Sequence, residues 1–179
     1  MLLEILKTIW ILLPAYTPNN FAVIFGGGFP IDFGKNFVDG RRILGDGKTF
    51  RGFFSGLIGG VFVAHLQLFI ERAAGFAIFS SLSYSQFLQL AFLLSFGSLL
   101  GDLTGSFLKR RIGLKRGERA PILDQLDFLV FSLLIASFSE AFWKVFSFEN
   151  ILIAFLITPV LHVVTNRIAY LLKLKDVPW

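Results

Sequence analysis

The chain has 179 residues, 55% of them hydrophobic, with a formal net charge of +5 and a mean hydropathy of +0.71. That apolar share exceeds the roughly 45–50% of soluble domains, so the bilayer becomes the natural solvent and one membrane domain, residues 1–179, is expected. The absence of cysteine excludes disulfides, thiolate metal sites and thiol catalysis.

The opening MLLEILKTIW carries Glu4 and lacks a small-residue cleavage site, so it reads as a retained span rather than a removable signal peptide. A span needs roughly 20 mainly apolar residues, and five segments qualify: 5–29, 52–71, 86–108, 123–143 and 150–172. The expected fold is therefore an all-α integral membrane protein with five transmembrane helices. In the first span Pro14, Pro18, Asn19 and Asn20 fall where a lipid-facing helix cannot tolerate freed backbone groups. That segment must be broken or packed inside the bundle. The second, third and fifth spans are near-continuous runs of Phe, Leu, Ile and Val. Gly52, Gly56 and Gly60 in the second and Gly97, Gly101 and Gly105 in the third form small-residue grooves, which are expected to pack on each other.

Orientation follows from the basic residues, which cytoplasmic loops concentrate. Lys35, Arg41, Arg42, Lys48 and Arg51 lie between spans one and two. Lys109, Arg110, Arg111, Lys115, Arg116 and Arg119 lie between three and four, and Arg167, Lys173 and Lys175 end or follow span five. The opposite side holds only Lys7, Arg72 and Lys144. This predicts an N-terminus outside, with both basic loops and the C-terminus cytoplasmic, in the cell membrane. Topology signalling and contact with anionic headgroups account for many such clusters. They do not account for Asp32, Asp39 and Asp46 threaded through the first loop, or for Asp124 and Asp127 closing the second.

Asp102 stands in the apolar run SFGSLLGDLTGSF, where a carboxylate costs about 3 kcal/mol at mid-bilayer and so requires a partner or a cation. On a helix Asp102, Ser106 and Lys109 form one stripe at i, i+4 and i+7, while Asp124 and Asp127 share a face at the start of span four. If those helices meet, three carboxylates make an oxygen site suited to Mg²⁺. An ion-pair network is the alternative. The string GDGKT at 45–49 is no P-loop, because the pattern needs Gly at the position of Arg42 and a preceding strand. Lys48, Thr49, Arg51, Lys109, Arg110, Arg111 and Lys115 nonetheless offer cations and a hydroxyl to phosphate oxygens. Carboxylates and Mg²⁺ facing them would make the layout of a triphosphate site. His65 reads as a satisfied core histidine, and His162 and Asn166, at i and i+4, as a hydrogen-bonded pair or a reach toward the site from below.

The stretch from Ser106 through Lys109, Arg110 and Lys115, closing with Asp124 and Asp127, resembles the CDP-diglyceride synthase signature S-x-x-K-R-x-x-x-x-K-D with its final D-R-x-D. Arg116 stands at the signature's Asp, Gln125 at its Arg, and the usual His-Gly-Gly is absent. These departures, the short length, and the motifs around Pro30, Asp32 and Gly34, Asp39 to Gly52, and Lys175, Asp176, Pro178 and Trp179 resemble the archaeal branch of that family, the CDP-archaeol synthases. The resemblance covers nearly the whole chain. It implies five membrane helices, CTP and Mg²⁺ as ligands, an isoprenoid glycerol-phosphate lipid as acceptor, pyrophosphate as by-product and CDP-archaeol as product.

The expected activity is thus a Mg²⁺-dependent cytidylyl transfer on the cytoplasmic side. Asp102, Asp124 and Asp127 are expected to hold the metal, with Lys109 acting beside them. Lys48, Thr49, Arg51, Ser106, Lys109, Arg110, Arg111 and Lys115 are expected around the phosphates. A phosphatidate cytidylyltransferase acting on acyl lipids, and a non-catalytic transporter or lipid-binding protein, are the rival readings. No nucleic-acid partner is expected, and the oligomeric state is left open.

Overall fold

The computed structural model describes residues 1–115 and 117–174; Arg116 and the motif at 175–179 lie outside the described residues. Among the described residues seven α-helices follow in order: α1 (Leu2–Tyr16), α2 (Pro18–Ile24), α3 (Phe50–Ala74), α4 (Tyr84–Arg111), α5 (Leu123–Ala136), α6 (Glu140–Val145) and α7 (Phe148–Leu171). A 3-10 turn, Phe79–Ser81, lies between α3 and α4. Among the described residues there is no strand, only isolated bridges pairing Pro30 with Thr49 and Asn36 with Arg42. Helices α3, α4 and α7 are long and apolar enough to cross a membrane, matching the second, third and fifth expected spans. The first and fourth expected spans are helical but divided, into α1 with α2 and α5 with α6. At 14 residues α5 is only about 21 Å long, short of a hydrocarbon core about 30 Å thick.

The division of the first span has a local cause. Pro14 and Pro18 have no N–H, so the carbonyls of Trp10 and Pro14 lose their helical donors. Side chains from neighbouring helices replace them: Gln67 Nε2 on α3 donates to Trp10 O at 2.6 Å, and Ser95 Oγ on α4 donates to Pro14 O at 3.0 Å. The segment is therefore both broken and packed inside the bundle. At the far end of α3, buried Glu71 accepts from Trp10 Nε1 and from the backbone N–H groups of Ile78, Phe79 and Ser80 at 2.8–3.1 Å. One carboxylate thus holds the turn between α3 and α4.

The two glycine stripes do not pack on each other as expected. On α4, a Cβ at Gly97 would lie 2.7 Å from the Phe131 carbonyl oxygen and Ser132 Cα of α5. At Gly101 it would meet the Asp127 carbonyl and Phe128 Cα, and at Gly105 the Asp127 carboxylate. The α4 stripe is therefore the seat of α5. On α3, Gly52, Gly59 and Gly60 face Ala22, Phe21 and Pro18 of α2, with Leu99 and Ser95 of α4 beside Gly56 and Gly60. The reason is that α5 and α2 are the short pieces of broken spans, and only helices without Cβ atoms on one face let them lie that close.

The loop between α2 and α3 is organised by its own charges. Buried Asp32 accepts from Gly34 N, Leu44 N and Gly45 N at 2.8–3.1 Å and from Arg42 Nη2 at 2.7 Å, and Arg42 also pairs with Asp46 at 2.7 Å. Burial alone would push Asp32 up, but the Arg42 guanidinium and these three N–H groups hold it well below the usual carboxylate range. The loop then grips the end of α4 reciprocally. Arg41 Nη1 donates to Arg111 O at 2.6 Å, while Arg111 donates to Arg42 O at 2.6 Å and to Asp39 Oδ1 at 2.8 Å. The Arg111 guanidinium also lies 4.8 and 4.9 Å from the ring centres of Phe37 and Phe107.

Because Asp32 is depressed, its contribution to stability is complete above the unfolded carboxylate value, about pH 4, and is lost as pH falls below it. Asp32→Asn should lower the thermal midpoint in detergent at pH 7 and flatten its decline toward pH 3; an unchanged midpoint at pH 7 would remove Asp32 from this role. Gly101→Leu should cost about 3 kcal/mol by driving α5 off α4, read as a lower midpoint and early loss of α5 protection in hydrogen exchange.

Candidate active site

The close seat of α5 on α4 decides the site. From α4 come Asp102, Ser106 and Lys109 along one stripe, and from the first turns of α5 come Asp124 and Asp127. The last residues of the α2–α3 loop add Lys48. Its ammonium meets Asp102 Oδ2 at 2.5 Å, and Lys109 Nζ meets Asp124 Oδ1 at 2.6 Å. Asp127 lies against Gly105, with Asp102, Lys48 and Lys109 within electrostatic reach. Ser106 is buried on α4 one turn beyond Asp102. The result is two cations and three carboxylates, partly sheltered from solvent, at one end of the α4–α5 pair.

Entry into α5 is strained. Ile122, a β-branched residue, takes φ 71°, a conformation costing about 1–3 kcal/mol that persists only where its surroundings enforce it. The enforcement is visible next to it: Asp124 N donates to Ala120 O at 2.9 Å and Ala120 N donates to Asp124 Oδ2 at 2.8 Å. Asp124 is thereby held by Ala120 on one oxygen and by Lys109 on the other.

The remaining phosphate-binding candidates are distributed differently. Thr49 Oγ1 accepts from Gly52 N at 3.1 Å and caps α3. Arg51 donates through Nε and Nη2 to the Gly26 carbonyl. Arg111 is engaged with the loop, and Lys115 is exposed, its backbone N–H donating to Glu118 Oε2 at 2.8 Å. Arg110 is partly buried, its Nε without a hydrogen-bond partner among the described residues. The structure thus gathers Lys48, Asp102, Ser106, Lys109, Asp124 and Asp127, and gives Thr49, Arg51 and Arg111 contacts that build the loop.

Among the described residues no three His, Cys, Asp or Glu side chains converge as a metal cage. The donor chemistry nevertheless fits a hard divalent ion, since carboxylate oxygens at Asp102 and Asp124 already hold a cation each, in the form of lysine ammonium. Triphosphate oxygens compete for those same lysines. Sequence reasoning missed a second feature, a cavity of about 280 Å³ beyond Asp124, lined by Arg119, Gln125, His162, Val163 and Arg167. Its one legible trace was the His162–Asn166 pair, joined here at 2.9 Å. His65 bonds Val61 O at 2.9 Å and Tyr84 Oη at 3.2 Å, consistent with a structural histidine.

Known proteins with this sequence and shape bear on what such a site does. The family model for CarS-like CDP-archaeol synthases matches residues 1–179. A CDP-archaeol synthase of Archaeoglobus fulgidus is 62% identical over the whole length of both chains. One from Pyrococcus horikoshii is 46% identical over 98% of each. A solved intramembrane enzyme for archaeal membrane lipid biosynthesis superposes with a TM-score of 0.74 at 34% identity, over 90% of this chain and 94% of the other. The chain therefore belongs to the CDP-archaeol synthase family.

Proposed function

We propose that this membrane enzyme transfers CMP from CTP to the phosphate of 2,3-di-O-geranylgeranylglycerol 1-phosphate, releasing pyrophosphate and forming CDP-archaeol. The observation that carries the reading is the paired set Lys48–Asp102 and Lys109–Asp124 beside Asp127, in a chain of this family. The whole chain acts as one membrane domain with five crossings, two of them in pieces. Its N-terminus lies outside and its active face is cytoplasmic, as the lopsided distribution of lysine and arginine favours.

An oxygen of the lipid phosphate attacks the α-phosphorus of CTP. A new P–O bond forms there as the bond to the β-phosphate bridging oxygen breaks, and pyrophosphate leaves with that electron pair. No covalent enzyme intermediate is needed, and a phosphate near neutral pH needs no general base. Catalysis then rests on positioning and charge compensation. Lys48 and Lys109 turn from their carboxylates to the triphosphate oxygens, and Arg110 and Ser106 line the same approach. Asp102, Asp124 and Asp127 would hold Mg²⁺, which supplies charge neutralisation at the triphosphate when bound. Thr49, Arg51 and Arg111 serve by fixing the loop that presents Lys48.

Pyrophosphate release from CTP on adding the isoprenoid lipid phosphate to the purified wild-type chain tests the activity; no release would reject it. Asp124→Asn and Asp127→Asn should each abolish that turnover with the thermal midpoint retained, and near-wild-type rates in both would exclude a metal-holding role. Lys48→Ala should weaken CTP binding about tenfold, as loss of one charge-assisted phosphate contact implies. An unchanged affinity by calorimetry would count against that contact.

A further inference from the structure

The loop between α2 and α3 carries an aromatic cluster that the lysine–carboxylate site does not use. Phe33 stands edge-on between Phe29 and Phe50, with ring centres 5.4 and 5.7 Å away. Phe29 and Phe33 are nonetheless 61% and 58% exposed. Phe33 also takes φ 55°, a left-handed conformation that a bulky residue adopts only where its surroundings enforce it. The enforcement comes from buried Asp32, whose carboxylate accepts from Gly34 N, Leu44 N and Gly45 N and fixes the turn. A phenyl ring held out in water forgoes the burial that offsets such strain.

The cluster lies where α3 leaves the bilayer. Phe50 is the first residue of α3, which at 25 residues is about 38 Å long against a hydrocarbon core of about 30 Å, so its first turn falls at headgroup level. From Phe50 an exposed apolar stripe runs down the helix at i+4 and i+8, through Phe54 and Ile58, into the span. The end of α2, packed on the start of α3, exposes Val23, Ile24 and Phe25. The cluster is therefore continuous with the surface that meets lipid. Exposed Lys35, two residues after Phe33, adds a cation of the kind that anionic headgroups attract. The same segments present the site lysine: Ile31 N donates to Lys48 O at 2.8 Å, and Phe50 N to Phe29 O at 3.1 Å.

We propose that Phe29, Phe33 and Phe50 form a wedge that inserts into the leaflet on the active-site side, at the boundary of headgroups and acyl chains, with Lys35 on anionic headgroups. The partner is the bilayer surface, which accepts both the rings and the cation. The α2–α3 loop is then anchored twice, to α4 through Arg111 and to the leaflet through the wedge. Lys48 is thereby held at a defined depth relative to the lipid phosphates. The inference requires α3 to cross the bilayer and is independent of the transfer reaction.

Because the chain has no cysteine, one introduced cysteine takes a nitroxide label at a single position. Phe33→Cys and Val38→Cys are labelled in the full-length chain and placed in nanodiscs of phosphatidylcholine and phosphatidylglycerol. Val38, 93% exposed in the same loop beside Asp39, is the aqueous reference. Spin-relaxation contrast between oxygen and a water-soluble nickel chelate should place the label at position 33 about 5–10 Å into the headgroup–acyl boundary and the label at position 38 in water. Equal nickel accessibility at the two positions overturns the proposal. Phe33→Gly then separates the wedge from the scaffold, since glycine takes φ 55° without strain. That variant should keep its thermal midpoint in detergent, while in nanodiscs the label at position 38 becomes more mobile than in the Phe33 parent. A lowered midpoint would assign the ring to packing within the protein and overturn the proposal, as would an unchanged spectrum at position 38.

Discussion

Everything at the site depends on how closely α4 and α5 approach. Gly97, Gly101 and Gly105 leave one face of α4 without Cβ atoms, and the backbone of α5 from Asp127 to Ser132 lies directly on it. In a bilayer, where apolar surface has little to gain from leaving lipid, such close packing is a main source of helix association. The same contact sets the register of the charges. With Asp127 against Gly105, Asp124 falls one turn earlier, within reach of Lys109, and Asp102 is left for Lys48. A side chain at any of these glycines would move the acids together with the helix.

The charges divide into those that build and those that remain available. Asp32, Arg42, Arg41, Asp39 and Arg111 hold the α2–α3 loop together and bind it to the end of α4. Among the described residues Lys48 and Lys109 each pair with a single carboxylate. Alternating the signs keeps a dense cluster near neutrality where the dielectric is low, since an unpartnered charge there is far more costly than a paired one. It also leaves groups that phosphate can recruit by exchanging one partner for another.

Polar groups in the apolar bundle follow the same logic of full satisfaction. Pro14 in α1 and Pro18 at the start of α2 free two carbonyls of α1, and Gln67 and Ser95 take them up from α3 and α4. Glu71 is buried because four N–H groups converge on it. These bonds tie α1 to α3 and α4 and so fix the frame on which α2 and the loop carrying Lys48 are hung.

Much of this was legible in the residues. Long runs of Phe, Leu and Ile must be helical in lipid, so α3, α4 and α7 followed from hydropathy, and Pro14 and Pro18 announced the break in the first span. The stripe of Asp102, Ser106 and Lys109 is a consequence of helical period alone, and the signature around it pointed to the family. Pairing of side chains from different helices was not legible. Periodicity states which face a residue occupies and says nothing of what lies opposite, so it did not show that the α4 stripe seats α5 or that the α3 stripe faces α2 as well as α4. The loop arginines look alike in sequence, yet contacts separated by some 70 positions make Arg111 a clasp and leave Lys48 on Asp102. What the chain determined alone was local: helices, their breaks and the chemical types present. Tertiary packing decided which of those charges meet, because a distance of a few ångströms between helices far apart in sequence is a property of their contact and of no segment by itself.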